Sequence, residues 1–148
     1  MSAALLDVNV LVALFDPAHP SHEQAHQWFG ANRRRPWATC PVTINGCVRV
    51  LSNPAYPSVS ATPADVISRL QTLCSSPHHE AWADDVSLLD TTLFRPSRIA
   101  GHRKITDVYL LGLAVRKGGR LISFDRSIPL NAVAGGESRH LVVLGAVP

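Results

Sequence analysis

Three aspartates stand where short apolar segments meet more polar sequence. Asp7 follows the run Ala3–Leu6, Asp125 follows Leu121–Phe124, and Asp107 lies at the start of an amphipathic segment. Carboxylates gathered in one place raise one another's pKa unless a cation compensates their charge. Mg²⁺ and Mn²⁺ prefer such oxygen ligands, and waters and phosphate oxygens complete their coordination. The positions of the three acids therefore predict a metal site.

Each of these acids also has a purely structural explanation. Asp107 would interact favourably with the dipole at a helix N-terminus, and Asp125 would shape a turn with Arg126 and Ser127. Asp7 is harder to explain in this way, because apolar residues enclose it on both sides and a buried carboxylate needs a partner. The joint placement of the three favours the metal site.

The elements that must position these acids are short apolar strands alternating with amphipathic helices, a pattern typical of an α/β domain with a mainly parallel sheet. In such a sheet, ligands bind outside the carboxyl ends of the strands, where Asp7 and Asp125 are expected. We predict strands at 3–6, 37–40, 80–82, 121–124 and 141–144 and helices over 8–15, from Ser21, over 41–51, from Thr62 and over 107–116.

Two of the predicted helices begin with residues suited to capping. Ser21 and Gln24 have the spacing of a capping box, and Thr106 is the predicted N-cap of the helix that starts at Asp107. Gly118 and Gly119 are expected to end that last helix. The predicted start places Asp107 in the first turn of the helix.

The composition is that of one folded domain spanning residues 1–148. The chain is 46% hydrophobic and 17% charged, which excludes a disordered protein, and no apolar run approaches the ~20 residues of a membrane helix. Its three cysteines form neither an even framework nor a C-x-x-C pair, so we expect a reduced, cytoplasmic protein with no membrane partner. The net charge of +3 permits a nucleic-acid partner without requiring one.

A second motif whose residues could bind a metal is His22-Glu23-Gln24-Ala25-His26. It fits the H-E-x-x-H pattern, in which two histidines bind zinc and the glutamate acts as a base. The motif lies at the very start of its helix, however, and both histidines fall at the margin of the face formed by Ala25, Trp28 and Phe29. A zinc hydrolase is therefore a remote alternative.

Four segments together resemble the PIN-domain ribonucleases and, more narrowly, the VapC toxins of bacterial toxin–antitoxin pairs. The resemblance implies a three-layer α/β/α domain with a sheet of four to five strands and an Mg²⁺- or Mn²⁺-dependent endoribonuclease that hydrolyses RNA phosphodiester bonds. It also implies that Asp7, Asp107 and Asp125 are catalytic and metal-binding. The segments are Leu5–Asn9, Pro41–Pro54, Ile105–Leu110 and Ser123–Asp125.

The family has a fourth acid, a glutamate, which corresponds here to Ile44. No Asp or Glu lies between Arg33 and Pro63. The site could work with fewer carboxylates, a distant acid such as Glu80 or Asp84 could contribute, or activity could be weak. A degenerate PIN-like module that binds RNA or a partner without cleavage is the alternative function.

The resemblance further implies a homodimer and a small VapB-like antitoxin that holds the toxin inactive. Asn9 and Thr106 could orient the metal ligands. The antitoxin groove is expected to expose apolar residues of the first two helices, namely Val10, Leu14, Trp28 and Phe29. A basic group that precedes Asp107 could contact the RNA backbone: Arg95, Arg98, His102, Arg103 and Lys104.

Overall fold

The central sheet has five strands, and every neighbouring pair is parallel. The structure is a computed structural model that describes residues 2–145. The strands are β1 (Ala4–Leu6), β2 (Trp37–Thr39), β3 (His79–Ala81), β4 (Arg120–Ser123) and β5 (Leu141–Val143). They are ordered β3-β2-β1-β4-β5, so the first strand is central and the order reverses beside it. Ligands bind at such a reversal in open parallel sheets.

Five α-helices cover the two faces of this sheet. They are α1 (Val8–Phe15), α2 (His22–Asn32), α3 (Pro41–Leu51), α4 (Pro63–Leu73) and α5 (Ile105–Arg116). None of these described helices has the length and apolar character needed to cross a bilayer.

Successive residues of β1 belong to opposite cores. Leu5 packs in the core that contains α5, whereas Ala4 and Leu6 pack in the core formed with α1 to α4. Both faces of the strand are therefore buried, which explains its continuous apolar sequence. The predicted three-layer α/β/α architecture with a parallel five-strand sheet is confirmed.

The two capping predictions with Ser21 and Thr106 are wrong, although both helices exist. Ser21 precedes α2 but its side chain makes no capping hydrogen bond. Helix α5 begins at Ile105 after a short 3₁₀ turn at His102–Lys104, so Thr106 lies inside the first turn and is exposed. Asp107 nevertheless lies in the first turn of α5, as predicted.

The last helix and the fourth strand form a hairpin-like unit that fixes where Asp107 lies. Gly118, in the left-handed conformation at φ +68°, lies just beyond the end of α5, and the chain enters β4 at Arg120. Helix α5 thus runs opposite to β4, and its N-terminus lies at the edge where the strands end. Asp7 and Asp125 follow β1 and β4, neighbouring strands, at that same edge.

Candidate active site

Asp7 is a buried carboxylate at the junction of β1 and α1. Its Oδ1 accepts a hydrogen bond from the Val8 N–H at 2.7 Å, and its Oδ2 accepts one from the Ser123 hydroxyl at 2.7 Å. The side chain is only 4% exposed. Burial raises the pKa of Asp7, the two hydrogen bonds oppose this effect, and the negative charge of Asp125 adds to the increase. Asp7 is thus a carboxylate held in one orientation in an environment that favours a compensating cation.

Ser123, the last residue of β4, connects Asp7 with Asp125. Its hydroxyl oxygen accepts hydrogen bonds from the Asn9 amide at 3.1 Å and from the Asp125 N–H at 3.0 Å while donating to Asp7. Asn9 also accepts from the Phe124 N–H at 3.2 Å. This network holds the first turn of α1 against the end of β4.

The sequence reasoning missed Ser123. The sequence feature that could have indicated it is that Ser123 is the only polar residue in the run Leu121–Phe124, which immediately precedes Asp125. Asn9, in contrast, was singled out, and it contacts Ser123 and Phe124 rather than Asp7 itself.

Asp125 has protein partners at both carboxylate oxygens. Oδ1 accepts from the Ser127 N–H at 2.8 Å and from the Ser127 hydroxyl at 2.6 Å. Oδ2 pairs with the Lys104 ammonium at 3.0 Å, and that ammonium also contacts the Ser127 hydroxyl. Burial alone would raise the pKa of Asp125, but the hydrogen bonds from Ser127 and Lys104 outweigh it and hold the pKa below its usual range. Asp125 is therefore ionised and already paired with a cation.

Asp107 is half-buried, and its carboxyl group is within hydrogen-bonding distance of the Asp125 carboxylate. Burial raises its pKa to about 7, and the negative charges of Asp7 and Asp125 contribute to the increase. The positive charge of Lys104 acts in the opposite direction. Asp107 is thus close enough to the other two acids to respond to their charge.

The structure brings the three predicted acids to one edge of the sheet, but not into a finished ligand set. Within the described residues, no group of three or more His, Cys, Asp or Glu side chains is arranged to hold a metal ion. One reason is visible in the contacts, because Lys104 occupies Asp125 Oδ2. A divalent ion bound directly by Asp125 Oδ2 would require this pair to open.

Helix α3 contributes no acid to this edge. Ile44 is half-buried and packs in the core that contains α1. The α3 residue that lies against the residue following Asp7 is Gly46, where an added Cβ would be 2.6 Å from Val8 Cγ2. The polypeptide thus places backbone and apolar groups where α3 approaches α1.

The two distant acids considered as substitutes have other partners. Glu80 accepts a hydrogen bond from the Trp82 indole at 3.0 Å. Asp84 accepts from the Val42 N–H at 3.0 Å, at the N-terminus of α3, while its Oδ1 is buried without a hydrogen-bond partner among residues 2–145. Neither is hydrogen-bonded to the Asp7–Ser123–Asp125 network.

The histidines of the H-E-x-x-H motif contact the end of α1. His22 Nδ1 is 2.7 Å from the Ala13 carbonyl oxygen, and His26 Nε2 is 2.9 Å from that of Leu14. Because a carbonyl oxygen can only accept, each of these nitrogens carries the hydrogen. The motif satisfies carbonyl groups in the last turn of α1, and no third ligand accompanies it among the described residues.

Helices α1, α2 and α4 border an apolar cleft of about 480 Å³. Phe15, Phe29 and Leu73 line it, and all three are half-buried. The expectation that Val10 and Leu14 are exposed is wrong, because both are buried in the core, although Leu14 reaches the cleft. Both side chains pack in the core that α1 shares with the sheet.

Four of the five basic residues that precede Asp107 in sequence are exposed, and two of them, His102 and Arg103, lie in the 3₁₀ turn that leads into α5. Arg98 and His102 lie in two short 3₁₀ turns, and Arg103 adjoins His102. Arg95 donates a hydrogen bond to the Asn131 carbonyl oxygen at 3.2 Å. Lys104 is the exception, because it turns inward to Asp125.

The fold and the cluster of acids at the carboxyl edge define a PIN-domain protein, and the PIN domain family profile matches residues 4–135. Ribonuclease VapC44 of Mycobacterium tuberculosis is 45% identical over 144 residues, which cover 95% of this chain and 99% of that protein. Ribonuclease VapC39 of the same organism is 43% identical over 132 residues, covering 89% of this chain and 95% of the relative. Ribonuclease VapC38, also from Mycobacterium tuberculosis, is 44% identical over 125 residues, covering 84% of this chain and 86% of that protein. The chain therefore belongs to the VapC family of PIN-domain proteins.

Proposed function

We propose that this protein is a metal-dependent endoribonuclease that acts as the toxin of a toxin–antitoxin pair, with Asp7, Asp107 and Asp125 as its catalytic carboxylates. The observation that carries the proposal is the buried Asp7 carboxylate, tied through Ser123 to Asp125 and close enough to Asp107 for their charges to interact. The VapC relatives, all named ribonucleases, support RNA as the substrate.

The donor set fits a hard divalent cation, Mg²⁺ or Mn²⁺. Three carboxylates offer oxygen ligands, and no Lys, Arg or His of the described residues forms a salt bridge with Asp107. Asp7 and Asp107 would hold the ion directly, and Asp125 would hold it through water or fix a second one. When bound, the ion lowers the pKa of water and offsets charge on the phosphate.

The protein's own residues prepare this site. The Val8 N–H donates a hydrogen bond to Asp7 Oδ1, and the Ser123 hydroxyl donates one to Asp7 Oδ2. Together these two hydrogen bonds fix the orientation of the Asp7 carboxylate. Asn9 holds the Ser123 hydroxyl in turn, an arrangement that commonly tunes metal ligands. The exposed Arg98, His102 and Arg103 lie where an RNA backbone approaching Asp107 would meet positive charge.

The test is RNA cleavage by the purified protein with and without Mg²⁺ or Mn²⁺. We expect metal-dependent cleavage by the wild type and a loss of cleavage activity of at least about 100-fold in Asp7→Asn. Mutating a residue that only hydrogen-bonds to a metal ligand already lowers metal affinity or activity by about 10–100-fold. Asp85→Asn is the matched control, because Asp85 is a surface acid paired with Lys117. Metal-independent cleavage, or full activity of Asp7→Asn, would contradict the proposal.

The absence of an acid from α3 supports one alternative, a PIN-like module that binds RNA without cutting it. It predicts that the wild type binds RNA but leaves it intact at every metal concentration. Ile44→Glu should then raise cleavage sharply. Because Ile44 packs in the core, the unfolding of this variant should be measured alongside its activity.

We further propose that the apolar cleft between α1, α2 and α4 receives a VapB-like antitoxin. An apolar helix or extended segment would cover Phe29 and Leu73, which are half-buried there. We expect co-expression to yield a complex with reduced ribonuclease activity and Leu73→Ser to weaken it. Leu89→Ser, which changes a residue that is 90% exposed on a distant loop, is the control. Equal antitoxin binding by both variants would place the interface elsewhere.

Three further expectations belong to this proposal. The whole chain, residues 1–148, would form one domain, since β5 pairs with β4 although it lies beyond the matched residues 4–135. The protein would act in the cytoplasm, where RNA is available, and would form a homodimer. Light scattering coupled to gel filtration measures the mass of the isolated protein and tests the dimer.

A further inference from the structure

Lys104 is the one cation in direct contact with a candidate site acid within residues 2–145. Its ammonium lies 3.0 Å from Asp125 Oδ2, and the two side chains are 23% and 29% exposed. The same ammonium contacts the Ser127 hydroxyl, which also donates to the other oxygen of Asp125. Both oxygens of the Asp125 carboxylate therefore have partners within this chain.

The pairing offsets the charge of the acid cluster. Asp7, Asp107 and Asp125 place up to three negative charges at one edge of the sheet, and Lys104 precedes Asp107 by three residues at the entrance to α5. An ammonium beside Asp125 reduces the repulsion that all three acids experience. In its absence, the fold would have to hold these carboxylates together without a cation.

The same pairing conflicts with a bound divalent ion. An ion on Asp125 and an ammonium on the same carboxylate would be two like charges only a few ångströms apart, which repel strongly in a partly buried site. The lysine side chain is flexible and strongly hydrated, so it can turn into solvent. The Lys104 side chain is already partly exposed, which leaves a path for this movement.

We propose that Lys104 is a built-in counter-ion, which holds Asp125 when no metal is bound and is released when a divalent ion binds. This inference rests on the proposed metal-dependent function. Since metal binding and Lys104 pairing compete for one carboxylate, each weakens the other by the same factor. Lys104 therefore lowers the affinity of the site, so that its loading depends on the concentration of the free ion.

The sequence provides an internal control for this proposal. It contains only two lysines, Lys104 and Lys117. Lys117 also forms a salt bridge with an aspartate, Asp85, at 3.0 Å, and its side chain is 29% exposed. It lies beyond the opposite end of α5, roughly 20 Å away at 1.5 Å per helical residue. The two lysines thus share a similar local pairing but differ in their distance from the acids.

The first experiment labels the full-length wild-type protein with acetic anhydride, with and without Mn²⁺, and reads each lysine by peptide mass spectrometry. Lys104 should be protected without metal and should react several-fold faster with Mn²⁺, whereas the labelling of Lys117 should not change. Unchanged or slower labelling of Lys104 under conditions where electron paramagnetic resonance detects bound Mn²⁺ would overturn the proposal. This experiment needs no variant to fold.

The second experiment compares Mn²⁺ affinity in Lys104→Met and Lys117→Met by calorimetry. Lys104→Met should bind about tenfold tighter than wild type, within the usual 5–150-fold range of coupled sites. Lys117→Met should match the wild type. Binding with equal affinity in both variants would overturn the role of Lys104 while leaving the metal-dependent function intact. A lack of Mn²⁺ binding by all three proteins into the millimolar range would overturn both.

Discussion

Ser123 donates its hydroxyl hydrogen to Asp7 Oδ2 at 2.7 Å, joining residues 116 positions apart in the sequence. The contact is buried, and Ser123 is the only side chain that donates to Asp7 within the described residues. The same hydroxyl oxygen accepts from the Asp125 N–H. The relative placement of two candidate metal ligands thus depends on one serine.

Replacing this serine should impair the site more than the fold. We expect Ser123→Ala to lower metal-dependent RNA cleavage about 10- to 100-fold, because Asp7 loses the contact that orients it. The free energy of unfolding should fall by about 1–3 kcal/mol, since a buried acceptor loses its partner. Both are measurable, by cleavage rate at saturating Mn²⁺ and by urea unfolding.

Ser52→Ala is the matched control for Ser123→Ala. The Ser52 hydroxyl donates to the Val48 carbonyl oxygen within α3, away from the acids. Ser52→Ala should leave the cleavage rate within about twofold of that of the wild type. If Ser123→Ala also cleaves at the wild-type rate, Ser123 does not position Asp7.

Local sequence patterns predicted most of the fold because they act over a few residues. Helix α4 begins with the capping box of Thr62 and Asp65 at the predicted place, and α1 follows Asp7 directly. The cap at Thr106 was wrong because a 3₁₀ turn ending at Lys104 leads the chain into α5 two residues earlier. Boundaries of this kind depend on how the chain approaches the helix.

The candidate site was predicted only in part, because its contacts are long-range. The three aspartates could be placed at one sheet edge from the ends of the predicted strands. The role of Ser123 depends on pairing between β1 and β4, and the inward turn of Lys104 depends on a partner 21 residues away. Neither contact has a local pattern, so the sequence indicates only that Lys104 belongs to the basic group that precedes Asp107.

Gly112 allows α5 to pack closely on a buried aromatic ring. A Cβ at this position would overlap the ring of Phe94, which is 1% exposed and enclosed in the core. We expect Gly112→Ala to lower the free energy of unfolding by about 1–3 kcal/mol, the usual cost of overpacking. Gly30→Ala is a control for which we expect the opposite effect on stability. Gly30 is exposed on α2, and no atom of the described residues lies within 4 Å of the position of an added Cβ. Gly30→Ala should stabilise the protein by about 0.5–1 kcal/mol, and a loss of stability equal to that of Gly112→Ala would refute the packing argument.

The His22 ring contacts the end of α1, and we expect it to stabilise that helix end. Its Nδ1–H donates to the Ala13 carbonyl oxygen at 2.7 Å. His22→Ala should therefore lower the free energy of unfolding by about 0.5–1.5 kcal/mol, whereas the control His78→Ala changes an exposed histidine and should have little effect. Elemental analysis should detect no stoichiometric zinc in the wild type. One zinc per chain, lost in His22→Ala, would instead support the hydrolase.

Asp16 is a buried carboxylate immediately after α1, held by three hydrogen bonds. Its Oδ2 accepts from the Tyr56 hydroxyl at 2.6 Å and from the Ser58 hydroxyl at 2.8 Å, and its Oδ1 accepts from the Ala18 N–H at 2.9 Å. Burial alone would raise the pKa of Asp16, but these hydrogen bonds outweigh it and lower the pKa. The ionised form is thus favoured in the folded protein.

This lowered pKa predicts how stability changes in acid. Because the folded-state pKa lies below the unfolded value of about 3.9, Asp16 stabilises the fold above that pH and loses its contribution as pH falls through the folded-state pKa. Asp16→Asn should lower the free energy of unfolding by about 1–2 kcal/mol at pH 7. Below about pH 5, the free energy of unfolding of Asp16→Asn should decrease less steeply with falling pH than that of the wild type. Tyr56→Phe, which removes one of the three hydrogen bonds, should lie between them, and chemical denaturation from pH 7 down to about pH 3 measures all three. Parallel decline in wild type and Asp16→Asn would mean that other groups carry the acid sensitivity.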